Sequence, residues 1–160
     1  MTVHPFPPLF DENSEILILG SFPSVKSREQ MFFYGHPQNR FWRVLAAVTE
    51  NEIPQTIEDK KRLLLSSKIA LWDVIAECEI TGSADSSIKN AVPNDLTVIL
   101  DNAAIKKIFV NGKTAEKYYN KYIRDALGLD AVCLPSTSPA NAAWTPERLI
   151  AEWKRLITGE

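Results

Sequence analysis

Residues 16–42 form the stretch that decides the fold, ILILGSFPSVKSREQMFFYGHPQNRFW. Its first four residues are all apolar, as expected of a strand buried on both faces of a parallel sheet. The glycines, prolines and polar residues that follow predict more than twenty residues of loop before the next helix. A small domain rarely keeps so long a loop unless the loop carries the function. We therefore expect the functional site where this first strand ends.

Strand-like and helix-like segments alternate along the rest of the chain. Three more short apolar runs predict strands at residues 69–75, 107–110 and 131–134. Helical spacing of apolar residues predicts helices at residues 40–49, 56–66, 113–123 and from 146 onward. Residues 95–102 are compatible with either a helix or a strand. The alternation predicts an α/β fold, a three-layer α/β/α sandwich around a central four-stranded parallel sheet.

Two helix starts are marked by capping residues. Thr56 and Asp59 are spaced as in a capping box, and Thr145 precedes Pro146 as an N-cap precedes a first-turn proline. These signals place the beginnings of two predicted helices.

The composition is that of one ordinary globular domain spanning residues 1–160. Its hydrophobic residues make up 45% and its charged residues 24%, and no apolar run approaches a membrane span. The first ten residues lack the features of a secretion signal, so we expect a cytoplasmic protein. We also expect a monomer. Cys78 and Cys133 are expected to be reduced, and two cysteines and two histidines far apart predict neither a metal site nor a cofactor.

Charge is unevenly distributed although the net charge is only −2. Residues 104–124 contain six basic residues and one acid. This local excess is compatible with a phosphate-bearing partner or with a solvated lysine face.

Four segments are predicted to meet at the carboxyl edge of the sheet, where such folds bind ligands. They are residues 20–39, 72–73, 111–113 and 135–144. The last, PSTSPANAAW, is small and polar; it is compatible with a phosphate-binding or duplex-wedging loop, or with a plain connection in which Trp144 is packed. Asp73 could orient a water or cap a turn, and His36 could donate a proton or hydrogen-bond within its loop.

Four motifs resemble those of the uracil-DNA glycosylase superfamily: GSFPS at 20–24, HPQNRFW at 36–42, VNGKTA at 110–115 and STSPAN at 136–141. Together they are most similar to the hypoxanthine-DNA (deoxyinosine) glycosylase branch. Phe22 stands where the mismatch-specific uracil/thymine branch has an Asn. Ser136 stands where the classical uracil branch has a His, and the catalytic Asp of that branch is missing from GSFPS.

The resemblance implies hydrolytic excision of a deaminated base, hypoxanthine above all, from DNA whose nucleotide is flipped out of the duplex. It assigns the catalytic role to Asn39, which would hold the attacking water through its carbonyl oxygen; the alternative is that Asn39 only caps the following helix. The residues it assigns to base binding are Gly20, Ser21, Phe22, Tyr34 and Asn111. Those it assigns to DNA binding are Ser24, His36, Lys113, Ser136, Ser138, Pro139, Ala140 and Asn141. No metal or cofactor is expected, and the partner is DNA containing a deaminated base. When bound to DNA, the cytoplasmic protein is expected to be associated with the nucleoid.

Two alternatives remain at this point. One is a mismatch-specific uracil/thymine-DNA glycosylase on the same fold. The other is a non-catalytic module that binds nucleotides or DNA without cleaving them.

Overall fold

The computed structural model describes residues 1–158, so residues 159 and 160 of the expected domain lie outside the described part. The strands are β1 (Thr2–Val3), β2 (Ile16–Gly20), β3 (Ile69–Asp73), β4 (Ile75–Glu79), β5 (Lys89–Pro93), β6 (Lys107–Asn111) and β7 (Val132–Leu134). The helices are α1 (Val25–Gln30), α2 (Phe41–Val48), α3 (Ile57–Ser66), α4 (Thr97–Leu100), α5 (Lys113–Tyr122), α6 (Arg124–Leu127), α7 (Pro146–Trp153) and α8 (Arg155–Thr158).

A four-stranded parallel sheet in the order β3-β2-β6-β7 forms the centre of the molecule, which confirms the predicted fold. The first strand of the opening stretch, β2, lies between β3 and β6. Residues 17–20 of β2 and all of β3 are buried, as expected of central parallel strands covered by helices. The register pairs Gly20 with Asp73 and Asn111 with Leu134, so these strands end together at one edge.

Amphipathic helices flank the sheet and close the core. In α2 six of eight residues are buried, and α2 packs against α7. Phe41 of α2 meets Trp153 of α7 edge to face, with 5.8 Å between ring centroids. Thr56 and Thr145 both accept a hydrogen bond from the backbone N–H three residues later, which confirms both predicted helix starts.

Two details of the predicted layout are wrong, and one open alternative is decided. The long loop after β2 contains the short helix α1, whose first turn is capped by the Ser24 hydroxyl. The run at residues 69–75 is two strands, because the chain leaves the parallel sheet at Val74 and continues as β4 in a second sheet. The ambiguous residues 95–102 contain the short helix α4.

The second sheet is antiparallel, has the order β1-β4-β5, and was not predicted. It includes the first residues of the chain, because β1 pairs with β4 and places Thr2 opposite Cys78. The following residues run back along β3, where Leu9 and Leu71 exchange backbone hydrogen bonds of 3.0 and 2.9 Å. We call residues 2–9 the N-terminal arm; it is held to the sheets at both of its ends.

Cys78 is buried, Cys133 is half-buried, and both are free thiols. Among the helices of residues 1–158, none has the length and apolar character needed to cross a bilayer.

Candidate active site

A chain of hydrogen bonds joins four side chains at the carboxyl edge of the sheet. Asn111, the last residue of β6, donates from Nδ2 to the Tyr34 hydroxyl (3.2 Å) and to Thr137 Oγ1 (3.0 Å). The Thr137 backbone N–H donates to Asn111 Oδ1 at 3.1 Å, and the Thr137 hydroxyl donates to Asn39 Oδ1 at 2.9 Å. Thr137 is fully buried. We call Tyr34, Asn111, Thr137 and Asn39 the amide network; it links three of the four predicted segments.

The side chain of Asn39 lies in the capping orientation. Its Oδ1 accepts from the Phe41 N–H, the first amide of α2, at 2.9 Å, in addition to the bond from Thr137. These two donors occupy both lone pairs of the oxygen. No lone pair of this oxygen is therefore left to accept a hydrogen bond from a water, contrary to the role that the resemblance implied. Asn39 Nδ2 donates to no group within residues 1–158, so the amide hydrogens are what Asn39 offers to a ligand.

Tyr34 combines a stacking surface with a fixed hydroxyl. Its backbone is left-handed (φ 51°), and its ring stacks on Phe41 with centroids 4.0 Å apart and planes 15° apart. Burial, and next the negative charge of Asp73, raise the pKa of Tyr34 well above its usual value. The phenol therefore stays protonated at neutral pH and can still donate its own hydrogen while it accepts from Asn111.

Asp73 ends β3 as a buried carboxylate in direct contact with the backbone of Gly20. A Cβ at residue 20 would collide with Asp73 Oδ1 and lie 3.0 Å from the Tyr34 hydroxyl. His4 Nε2 lies 2.7 Å from Asp73 Oδ2, and the Asp73 side chain is 6% exposed. Within residues 1–158, Oδ1 has no hydrogen-bond partner. Asp73 therefore does not cap a turn, which was one of the two roles considered for it from the sequence.

A second carboxylate approaches from the segment of residues 80–88. Ser21 Oγ donates to Asp85 Oδ1 at 3.0 Å. Asp85 is exposed as a whole residue, yet its carboxyl group faces Ser21 and Thr114. Loss of hydration there, and the charge of Asp73, raise the pKa of Asp85, although the hydrogen bonds from Ser21 and Thr114 oppose this. Two acids, Asp73 and Asp85, therefore share this end of the site. The sequence did not predict that residues 80–88 would reach it.

Arg40 holds the loop of residues 135–144 by its backbone carbonyls. Its guanidinium donates to the carbonyls of Thr137 (3.3 Å), Ser138 (2.7 Å), Asn141 (3.1 Å) and Trp144. No carboxylate within residues 1–158 pairs with it. The Arg40 charge therefore lies among carbonyl oxygens beneath the loop.

The polar side chains of that loop bond mainly to the loop itself. Ser136 Oγ accepts from the Ser138 N–H, Ser138 Oγ accepts from the Ala140 N–H, and Asn141 Nδ2 donates to the Ser136 carbonyl. Pro139 is half-buried and Ala140 is exposed at the tip. Trp144 is half-buried, and the Arg148 guanidinium lies 4.2 Å from its ring centroid.

The remaining predicted residues are spread around this edge. Ser24 caps α1, and His36 Nδ1 accepts from the Gln38 N–H at 3.1 Å, which is the structural alternative stated for His36. Lys113 is exposed at the first turn of α5. Phe22 is buried, and its ring lies 6.0 Å from that of His4. Its side chain thus packs beneath the edge, and its backbone is what faces the site.

His4 is the residue that sequence reasoning missed entirely. A single histidine near the chain start carries no motif, and nothing local predicts that the N-terminal arm returns to the end of β3. Thr137 could have been found, because it lies inside the STSPAN motif at the end of a strand.

The sequence matches known proteins over most of its length. The family model described as the uracil DNA glycosylase superfamily matches residues 7–157. A hypoxanthine DNA glycosylase of Methanosarcina barkeri is 40% identical over 139 residues, which cover 85% of this chain and 86% of the relative. A hypoxanthine DNA glycosylase of Methanosarcina acetivorans is 36% identical over 154 residues, covering 95% and 96% of the two chains.

A solved structure resembles the fold as a whole. It is the solution NMR structure of a Methanosarcina acetivorans protein described as a candidate uracil DNA glycosylase. The two share a TM-score of 0.78 and 32% sequence identity, over 95% of this chain and 96% of the other.

Proposed function

This chain belongs to the uracil DNA glycosylase superfamily, and we propose that it is a DNA glycosylase that excises hypoxanthine from DNA by hydrolysis and leaves an abasic site. The observation that carries the proposal is the similarity, over most of the chain, to two relatives named hypoxanthine DNA glycosylase. The site is compatible with this activity, because it joins an aromatic ring, amides and a buried carboxylate at the edge where the fold binds ligands.

The target nucleotide is flipped out of the duplex, since its glycosidic bond cannot be reached inside the stack. Phe41 covers one face of the Tyr34 ring, so the base stacks on the opposite face. Base–aromatic stacking is worth roughly 1–3 kcal/mol, comparable with the few kcal/mol that flipping costs.

Backbone and side-chain groups then distinguish hypoxanthine from adenine. The N–H groups of Ser21 and Phe22 donate to no acceptor within residues 1–158, so they are available to a base carbonyl. Such donors also stabilise the negative charge that develops on the departing base. Asp73 Oδ1 is an acceptor for the ring N–H beside that carbonyl. Deamination of adenine creates this N–H, because the parent ring nitrogen carries a lone pair instead.

Asn39 positions the water that attacks the anomeric carbon. Its Oδ1 is held by Phe41 and Thr137, which fixes the amide plane, and its Nδ2 group is left to hold the water. A water held in this way needs no strong base, because the transition state is oxocarbenium-like and already attracts a nucleophile. Positioning of this kind is worth about a hundredfold in rate.

The loop of residues 135–144 contacts the DNA backbone and fills the vacated stack with its tip at Pro139 and Ala140. The Arg40 charge beneath it has no acidic partner within residues 1–158, so it adds a positive potential where phosphates lie. Lys113 extends this potential from the first turn of α5.

We also propose that the protein is a single domain that acts as a monomer, in the cytoplasm and associated with the nucleoid when bound to DNA. Sedimentation with and without a short duplex tests the monomer; a dimer at working concentration contradicts it.

The activity is tested with end-labelled duplexes that carry one hypoxanthine, uracil, xanthine or mismatched thymine, followed by alkali. Cleavage at hypoxanthine is expected. Cleavage at uracil or thymine alone would favour the mismatch-specific alternative, and cleavage at none would favour a binding module.

The role of Asn39 is tested with Asn39→Ala, and Thr56→Ala serves as a control. Thr56 caps α3, away from the site, so its loss costs about 1 kcal/mol of stability without touching the reaction. We expect Asn39→Ala to lower the single-turnover excision rate about a hundredfold or more, and Thr56→Ala to leave that rate unchanged. Equal rates for the two variants would reduce Asn39 to a helix cap.

A further inference from the structure

We propose that His4 is a positioning residue that fixes Asp73 for base selection; the inference rests on the proposed function and deepens it. His4 lies outside residues 7–157, the part of the chain that the family model matches. Its imidazole reaches the site because the N-terminal arm pairs with β4 and then runs back along β3. The His4 backbone N–H donates to the Ala76 carbonyl at 2.7 Å, which fixes the start of the side chain.

The environment of His4 leaves its ring a single orientation. The side chain is 4% exposed and meets the rings of Phe6, Phe22 and Phe33 at centroid distances of 4.5, 6.0 and 6.4 Å. Nε2 lies 2.7 Å from Asp73 Oδ2, and a carboxylate oxygen accepts, so this geometry assigns the hydrogen to Nε2; Nδ1 faces the Phe6 N–H at 3.5 Å, which agrees with this tautomer. A donor at this distance to a buried carboxylate forms a charge-assisted hydrogen bond.

This bond determines what the carboxylate offers to a base. With Oδ2 held by His4, the second oxygen is left without a partner in residues 1–158 and lies against Gly20, beside the Tyr34 hydroxyl. Oδ1 can then accept the lactam N–H of hypoxanthine, and it repels a ring nitrogen that carries a lone pair. Without His4 the carboxylate is free to turn, because no other side-chain donor in the described chain bonds to it.

The test compares His4→Leu, His4→Gln and the control Leu9→Ala. Leucine at residue 4 removes the donor, whereas the amide of glutamine can place an N–H near the position of Nε2. Leu9→Ala loosens the packing at the other end of the arm, where the backbone of residue 9 bonds to Leu71, and does not alter the contacts of His4. Single-turnover excision is measured on duplexes that carry hypoxanthine or unsubstituted purine, which lacks both the carbonyl and the ring N–H, together with thermal denaturation of each variant.

We expect His4→Leu to slow hypoxanthine excision about tenfold to a hundredfold and purine excision much less, so that selectivity for hypoxanthine falls. His4→Gln should recover most of the selectivity. Leu9→Ala should lower the melting temperature and leave the selectivity for hypoxanthine unchanged. Equal slowing of both substrates by His4→Leu, or no recovery by a folded His4→Gln, would overturn the inference. If the wild-type protein fails to excise hypoxanthine at all, the proposed function itself is wrong, which is a separate outcome.

Discussion

At the amino end of the parallel sheet, Glu15 pairs with Lys68 (3.2 Å) and Lys106 (2.6 Å), and both lysines are well exposed. At the carboxyl end of the same strands, Asp73 is buried, and its partner is a histidine that is buried as well. Exposed ion pairs contribute little to stability, whereas buried polar groups are costly unless they are bonded. The chain therefore places its costly polar groups at the end where a ligand can use them.

Excision should be most sensitive to changes in the close contacts at the buried carboxyl end of the sheet, and Gly20→Ala disturbs two of them. The added Cβ collides with Asp73 Oδ1 and crowds the Tyr34 hydroxyl, so we expect about a hundredfold slower excision and a loss of roughly 1–3 kcal/mol of stability. Excision kinetics and urea unfolding check this.

Gly128→Ala is the matched control for that substitution. Gly128 has a φ of 68° and open space around it, so its replacement costs about 1 kcal/mol of strain. It should not change excision. A Gly20→Ala variant that is as active as Gly128→Ala would mean that no base approaches residue 20.

Thr137→Val should have the next largest effect. It keeps the side-chain shape but leaves Asn39 Oδ1 with one donor and takes a partner from Asn111 Nδ2, at a cost of about 1–3 kcal/mol. We expect excision to slow about tenfold, since the Asn39 amide is then held by Phe41 alone. Thr49→Val, which removes a hydroxyl bonded to the Leu45 carbonyl at the far end of α2, should lose stability only. Similar kinetics for both variants would contradict the proposed network.

Asp85→Asn should have a smaller effect that depends on pH. The folded protein raises the pKa of Asp85, so between its ordinary value and the raised one the folded state binds more protons than the unfolded state. Stability contributed by this group therefore falls as pH rises through that window. We expect Asp85→Asn to be more stable than wild type at neutral pH and to lose this advantage in acid. Melting temperatures across pH measure the difference, and an advantage that grows in acid would refute the assignment.

Glu15→Gln should have the smallest effect, and its effect on stability should depend on pH in the opposite sense to that of Asp85→Asn. Hydrogen bonds from Lys106 and Lys68 lower the pKa of Glu15, so its contribution is present at neutral pH and is lost as pH falls through the lowered value. We expect a slight fall in melting temperature at low salt that disappears at high salt, with unchanged excision. A change in excision would show that the two ends of the sheet are coupled.

The sequence was sufficient to predict the parts of the fold that periodicity and capping control. The four parallel strands and the starts of α3 and α7 follow from apolar runs and from Thr56, Thr145 and Pro146. The turn into a second sheet at Val74 was not predictable, because residues 69–75 are apolar except for Asp73 and the choice of partner strand depends on tertiary contacts.

At the site, motifs predicted where the segments meet but not how their side chains bond. Asn39, Tyr34 and Asn111 do come together, yet the direction of the Asn39 oxygen depends on Thr137, which lies 98 residues away in sequence. His4 depends on an arm whose pairing with β4 has no local signal. Such long-range hydrogen bonds determine the orientation of individual side chains, which sequence patterns do not encode.

Hydrolysis of the glycosidic bond is tested most directly by excision of hypoxanthine in water labelled with the heavy oxygen isotope, with the released base analysed by mass spectrometry and the DNA strand assayed for abasic sites. Direct hydrolysis at the anomeric carbon predicts unlabelled free hypoxanthine and one intact abasic site for each base released. Label in the released base, or no released base from the wild-type protein, would contradict it.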